Sequence, residues 1–223
     1  VLAAQHVGGA QQDGVFQILG GFDRFRVPAA LLVIAIHTGP LLSLNGEANY
    51  LLTDILARIA VPFFFSVSGW FLVPRLLREG RAALIPFVKK LLLLYGAAVL
   101  LYLPLNLYNH TLEESGFALL RDVLFNGTFY HLWYFPALVL GACLVYGLLR
   151  ILGPRWAWLP ALLLYAAGLL GDSYFGLTAA LPPLRAGYEA LFLLFDYTRN
   201  GLFFPPVFLL LGGWLALRPA RRS

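Results

Sequence analysis

The sequence predicts an all-α, polytopic integral-membrane helix bundle of about six spans. Three observations predict it. Hydrophobic residues make up 60% of the chain and charged residues only 12%, against roughly 45–50% and about 25% in soluble domains. The apolar residues gather in runs of about 20, the length that crosses a hydrocarbon core. No polar stripe repeats through the longest runs, as it does on a helix of a soluble bundle. The same composition excludes disorder, and a lone cysteine, Cys143, excludes an intrachain disulfide and a multi-cysteine metal site. The formal net charge is +5. The basic residues lie between apolar runs, so membrane topology explains them and nucleic acid is not an expected partner.

Residues 1–22 are expected to be a flexible tail, rich in glycine, glutamine and alanine and without the basic start and cleavage pattern of a signal peptide. The remaining residues, 23–223, form the transmembrane domain. The predicted spans are 27–44, 51–73, 84–105, 131–149, 156–175 and 202–217. The fifth is interrupted by Pro160 and several glycines. A further apolar stretch, 190–195, is too short to span and is expected at the interface or as a re-entrant segment. With the N-terminus inside, the inside segments carry twelve lysines and arginines and the outside segments three, Arg121, Arg185 and Arg199. That asymmetry places both termini in the cytoplasm.

Ionisable groups within spans are costly and mark function. His37 lies ten residues beyond Val27, about 15 Å into the first span, and Arg58 lies seven residues into the second. Arg26 and His37 are eleven residues apart, which is about three turns and about 16 Å, so they share a helix face. They suit one channel with a cation at one end and a titratable imidazole at the other. An ordinary inside-positive arginine and a histidine bonded to a neighbouring helix fit the spacing equally well. Asp54 and Arg58, four apart, can pair along one face. In the run Pro62-Phe63-Phe64-Phe65-Ser66-Val67-Ser68-Gly69-Trp70 the proline frees a carbonyl, and the small residues permit close helix approach. The other histidines, His6, His110 and His131, are expected in the tail, in an outside loop and at the outer interface, out of reach of His37. The chain has no Gly-rich phosphate loop, paired-histidine zinc motif or Gly-x-Ser-x-Gly elbow.

Phe22-Asp23-Arg24-Phe25-Arg26 followed by Ile34-Ala35-Ile36-His37-Thr38 resembles the opening of the acyltransferase-3 family of integral-membrane acyltransferases, whose first helix carries Arg/Lys-x10-His. Val61-Pro62-Phe63-Phe64-Phe65 through Ser68-Gly69-Trp70-Phe71-Leu72 is similar to the family's second helix. Phe87-Val88-Lys89-Lys90 and His131-Leu132-Trp133-Tyr134-Phe135 match the starts of the third and fourth. Asp196-Tyr197-Thr198-Arg199-Asn200-Gly201-Leu202-Phe203-Phe204 is similar to the membrane half of VanT-type serine/alanine racemases.

The resemblance implies an enzyme of the bacterial cytoplasmic membrane that transfers an acyl group, commonly acetyl from acetyl-CoA, to a hydroxyl of a cell-envelope sugar or similar acceptor. It implies acyl-CoA as a donor substrate and no permanently bound cofactor or metal. His37 would be the general base, and Arg26, aided by Lys89 and Lys90, would bind the phosphate end of CoA. Arg58 is a candidate to polarise the acyl carbonyl. Family members have about ten spans, so the chain is expected to be incomplete at its C-terminal side, with no racemase half. A transporter-like domain for a small polar solute such as serine, and an inactive fragment, are the alternatives. The topology is checked by labelling single cysteines from outside, with Cys143 replaced. Sites near Asn45 and Gly116 should react and one near Gly80 should not; reaction at Gly80 alone reverses the orientation.

Overall fold

The computed structural model describes residues 2–109, 115–129 and 131–218, with side chains from Gly20 onward. Helix α1, Leu2–Thr38, is followed by the short α2, Gly46–Tyr50. A π-helical stretch, Leu51–Leu56, and a 3₁₀ turn, Ala57–Ile59, lead into α3, Ala60–Glu79, and then α4, Arg81–Tyr108. Helix α5, Gly116–Arg121, continues into a π turn, Asp122–Asn126, before α6, Tyr134–Trp156, and α7, Trp158–Gly171. The short α8, Phe175–Ala179, and α9, Pro182–Leu191, precede α10, Pro205–Leu217. There is no strand among the described residues.

Among the described residues three continuous helical stretches are long and apolar enough to cross a membrane: Gly46–Glu79, Arg81–Tyr108 and Tyr134–Trp156. The predicted fifth and sixth spans appear as the shorter α7 and α10, of 14 and 13 residues. At 1.5 Å per residue these reach only about 20 Å, against a core of about 30 Å. Pro160 is tolerated because it falls in the first turn of α7, where its N–H has no intrahelical partner to lose. What shortens the two helices is polar chain, Asp172 after α7 and 196–200 before α10. Helix α1 likewise stops at Thr38, six residues short of the predicted end, where Gly39 turns at φ +53°. That helix also takes in the segment read from sequence as a tail, from Leu2 onward. Val1, His110 and the terminal Arg221 and Arg222 lie outside the described residues.

Helix α4 shows what solvent the fold requires. It is apolar on all sides, yet Leu93, Leu100 and Leu101 are 75%, 70% and 77% exposed. Such a surface is stable against hydrocarbon and not against water. The polar groups of α4 that are buried have partners: Asn106 donates to the Thr128 carbonyl at 2.9 Å and Tyr95 to the Val123 carbonyl at 2.9 Å. A glycine joins α3 to α4, because Gly80 sits at φ +59° and ψ −125°, which a side chain disfavours.

The core is built from α3, α4, α6, α7 and α10, with Phe65, Leu72, Val145 and Leu209 buried at its centre. Its tightest contact is α3 against α10. A Cβ on Gly69 would overlap the Leu209 carbonyl, and one on Gly212 would overlap the Ser66 carbonyl. Gly213 lies against Val73. The small residues Ser66, Ser68 and Gly69 thus serve close helix approach, with Gly212 and Gly213 as their counterpart. Helix α1 packs on α3 through Phe22 and Phe25, and its Ala29 is fully buried. The Phe25 ring lies 4.7 Å from that of Phe63, and Phe22 lies 5.1 Å from Trp70.

Gly69→Ala and Gly212→Ala should each destabilise the bundle by about 1–3 kcal/mol or more, because the added methyl meets backbone that cannot rotate away. Gly96→Ala, with open space around it, should be neutral or stabilising by up to about 1 kcal/mol from helix propensity. Thermal unfolding in detergent separates the two outcomes.

Candidate functional site

The N-terminal part of α3 and the segment before it explain why polar groups collect at one end of the bundle. Pro62 is the third residue of α3, so it ends the helical ladder on its N-terminal side. The preceding chain winds as the π stretch and the 3₁₀ turn, a departure common at functional positions. Asp54 lies in the first and Arg58 in the second. Arg58 Nη2 donates to Asp54 Oδ1 at 2.9 Å, and Thr53 Oγ1 donates to Asp54 Oδ2 at 2.9 Å.

The last turn of α1 brings Val33, Ile36 and His37 against this segment. Together they border an open cavity of ≈590 Å³. Its other walls are Tyr50, Val61 and Pro62, Trp133 ahead of α6, Tyr165 and Leu169 of α7, and Phe204 ahead of α10. A second ion pair also lines it: Arg199 Nε is 2.7 Å from Asp172 Oδ2. A smaller recess of ≈60 Å³ continues past Asp172 and Arg199 toward Gly168, Thr198 and Phe203. The cavity is therefore an aromatic and aliphatic chamber with one imidazole and two Arg–Asp pairs.

Of the residues singled out from the sequence, His37 and Arg58 line this cavity. Arg26 does not; it pairs with Asp23 at 2.7 Å, three turns back along α1. Lys89 and Lys90 are exposed on α4, in the half of that helix that begins at the Gly80 turn, the opposite end of the bundle from His37. Asp172 and Arg199 are the residues that sequence reasoning missed. Arg199 was visible as part of the run 196–204, but nothing in the spacing joined it to an aspartate 27 residues earlier.

Two sequence expectations are overturned: Arg26 and His37 share a helix face but not one cavity, because the cavity is confined to the last turns of α1 and Arg26 pairs with Asp23 further back. His131 is not out of reach of His37: their ring centroids are 6.1 Å apart. The fourth spanning helix begins at Tyr134, and residues 131–133 form a turn that folds back toward α1. His131 is held edge-on against Tyr102 at 4.6 Å and Phe129 at 5.1 Å. It lies outside the spanning helix, and its pKa is lowered by burial first and by the nearby His37 second.

The loop that presents Arg199 is braced at three places. The Asp196 N–H donates to Asn126 Oδ1 at 3.0 Å, and Asn126 Nδ2 donates to Asp122 Oδ1 at 3.0 Å. Thr198 Oγ1 donates to the Gly168 carbonyl at 2.6 Å. Asn200 accepts from the Leu202 N–H at 2.9 Å and donates to the Tyr197 carbonyl at 2.8 Å. Arg121 adds a charge bridge to Asp122 at 3.0 Å and Asp196 at 3.3 Å.

These features define a helical membrane bundle with a cavity at one end that holds an imidazole and two ion pairs. The family model described as an acyltransferase domain, acyltransferase-3, matches residues 19–223, and the chain belongs to that family. It is 45% identical over 203 residues to an amino-acid racemase of Enterococcus faecalis, covering 90% of this chain and 28% of that protein. It is 43% identical over 213 residues to a serine/alanine racemase of Enterococcus gallinarum, covering 91% of this chain and 30% of the relative. The chain thus spans less than a third of the length of these relatives. No solved structure matches it.

Asn126→Ala should destabilise the fold by about 1–3 kcal/mol, since it strips partners from a buried network. Arg58→Ala should destabilise less than Asn126→Ala, because its ion pair is close to half exposed on both sides (48% and 43%). Thermal unfolding of the two variants in one detergent checks the order.

Proposed function

We propose that the chain is a membrane-bound acyltransferase module that moves an acyl group from acyl-CoA to a hydroxyl acceptor, with His37 as general base. The observation that carries this reading is His37 opening into the same cavity as Arg58 in a chain of the acyltransferase-3 family. In the proposed step His37 removes the acceptor hydroxyl proton as the oxygen attacks the acyl carbonyl. The carbonyl oxygen gains negative charge, which Arg58 stabilises and Arg199 can share. The C–S bond then breaks, the CoA sulfur leaves, and the proton on His37 passes to it, giving free CoA and regenerating the base.

Arg26, Lys89 and Lys90 bind the phosphates of CoA away from the cavity, about 16 Å from His37 along α1 in the case of Arg26. With both termini in the cytoplasm of a bacterium, donor phosphates lie toward the inner side of the cytoplasmic membrane. The His37 cavity opens toward the outer side, where a hydroxyl of a cell-envelope carbohydrate is the proposed acceptor. Acetyl is the proposed acyl group.

A second reading is favoured by one observation. Two Arg–Asp pairs lining one chamber offer a cation for a carboxylate and a carboxylate for an ammonium group. With relatives named amino-acid racemase and serine/alanine racemase, the cavity then receives a small zwitterion such as serine and passes it across the membrane. Acyl transfer separates the readings, because labelled acetyl-CoA gives free CoA and labelled product under the first alone. Uptake of labelled serine by proteoliposomes that release no CoA supports the second.

His37→Ala should lower CoA release by about 10²–10⁴-fold with the fold intact. Arg26→Ala should raise the KM for acyl-CoA more than it lowers kcat, and Arg26→Lys should be milder because the charge is kept. Full activity in His37→Ala moves the assignment to the solute-binding reading.

A further inference from the structure

The recess of ≈60 Å³ opens on the His37 cavity, and Tyr165, Leu169, Asp172, Arg199 and Phe204 line both spaces. Gly168, Thr198 and Phe203 line the recess and not the cavity, so they form its inner end. We propose that this recess is the acyl subsite: it takes the alkyl tail of the donor's acyl group and restricts the donor to short acyl groups. A water needs about 10–15 Å³ of such space and occupies about 30 Å³ in the liquid. The recess therefore holds about two to four carbons. The inference rests on the reading of the cavity as an acyl-transfer site, and it names the acyl groups that site accepts.

The inner end is closed by packed chain. Thr198 Oγ1 donates to the Gly168 carbonyl at 2.6 Å, which ties the loop before α10 to α7. A Cβ on Gly168 would lie 2.9 Å from Phe203 Cβ, so helix and loop already touch there. Thr198 is 1% exposed and Phe203 6%, which places the end wall inside the bundle. The rings of Tyr165 and Phe204, 5.9 Å between centroids, form the sides. These walls offer carbon, and the Thr198 hydroxyl is spent on Gly168, so an alkyl tail suits the recess better than a sugar hydroxyl. Charge stands at the mouth, where Arg199 lines both spaces. An acyl carbonyl oxygen held by its guanidinium leaves the tail in the recess and the reacting carbon in the His37 cavity. Each methylene that fits adds about fourfold to affinity. A longer chain must displace packed side chains beyond Gly168, which costs binding.

The test is equilibrium binding of labelled acetyl-, butyryl- and hexanoyl-CoA to the whole chain in nanodiscs. In the wild type, affinity should rise from acetyl to butyryl by about fourfold per methylene and fall about tenfold or more at hexanoyl. Phe203→Leu deepens the recess and should raise hexanoyl-CoA binding relative to acetyl-CoA by about tenfold. Ser173→Leu narrows it from the turn after α7 and should lower butyryl-CoA binding relative to acetyl-CoA by about tenfold. Ser173 is exposed, so this variant carries the test if Phe203→Leu fails to fold. Partition of longer chains into the bilayer is common to all three proteins and cancels in the ratios. One chain-length profile shared by the wild type and the folded variants overturns the inference, as does affinity that keeps rising through hexanoyl. Chain-length selection by a protein that never releases CoA upholds the subsite and removes the acyltransferase reading. Binding of no acyl-CoA overturns both.

Discussion

The contact on which the site depends is the backbone approach of α3 to α10 through Gly69, Gly212 and Gly213. Helices in hydrocarbon gain little from burying apolar surface against each other, because the lipid is as apolar as the partner. Close packing supplies the difference. Here the two backbones approach so nearly that no side chain fits between them. The consequence reaches the cavity along both helices. The N-terminal end of α3 carries Val61 and Pro62, and the N-terminal end of α10 follows Phe204, so one contact aligns two walls. Phe65 continues the alignment by packing edge-on against Phe204 at 5.9 Å.

Short helices then make room for charge. Helices α7 and α10 do not fill the thickness of a bilayer, and α1 stops soon after His37. Non-helical chain at membrane depth is tolerable where it lines a cavity or is buried in protein. Asp172 and Arg199 meet that condition. Each arginine at the cavity brings its own aspartate, so the chamber holds four formal charges that cancel. An imidazole and two ion pairs form a site that can receive charge developing on a substrate.

The relation to the racemases is one of part to whole. This chain aligns with less than a third of their length. The family motifs converge on that cavity from separate helices: His37 from the first, Pro62 from the second and Trp133 from the turn ahead of the fourth. Arg26 and the two lysines stand apart from it.

The sequence alone determined the class of fold, because a hydrocarbon solvent demands long apolar runs and internally bonded backbone, and both are one-dimensional properties. It also determined local pairs: Asp54 with Arg58 follows from four-residue spacing, and the close-packing role of Gly69 from its small neighbours. Eleven residues from Arg26 to His37 gave a shared face but not a shared cavity, since a face extends the whole length of a helix and a cavity does not. The partner of Gly69 lay 140 residues away in Leu209. The pairing of Asp172 with Arg199 and the meeting of His37 with His131 were decided only by tertiary structure. Each joins residues from different elements, and their proximity depends on where α1, α7 and α10 stop. Helix ends are set by single polar residues and turns, which hydropathy averages away, so sequence periodicity reported the spans and left their ends, where the chemistry sits, to the fold.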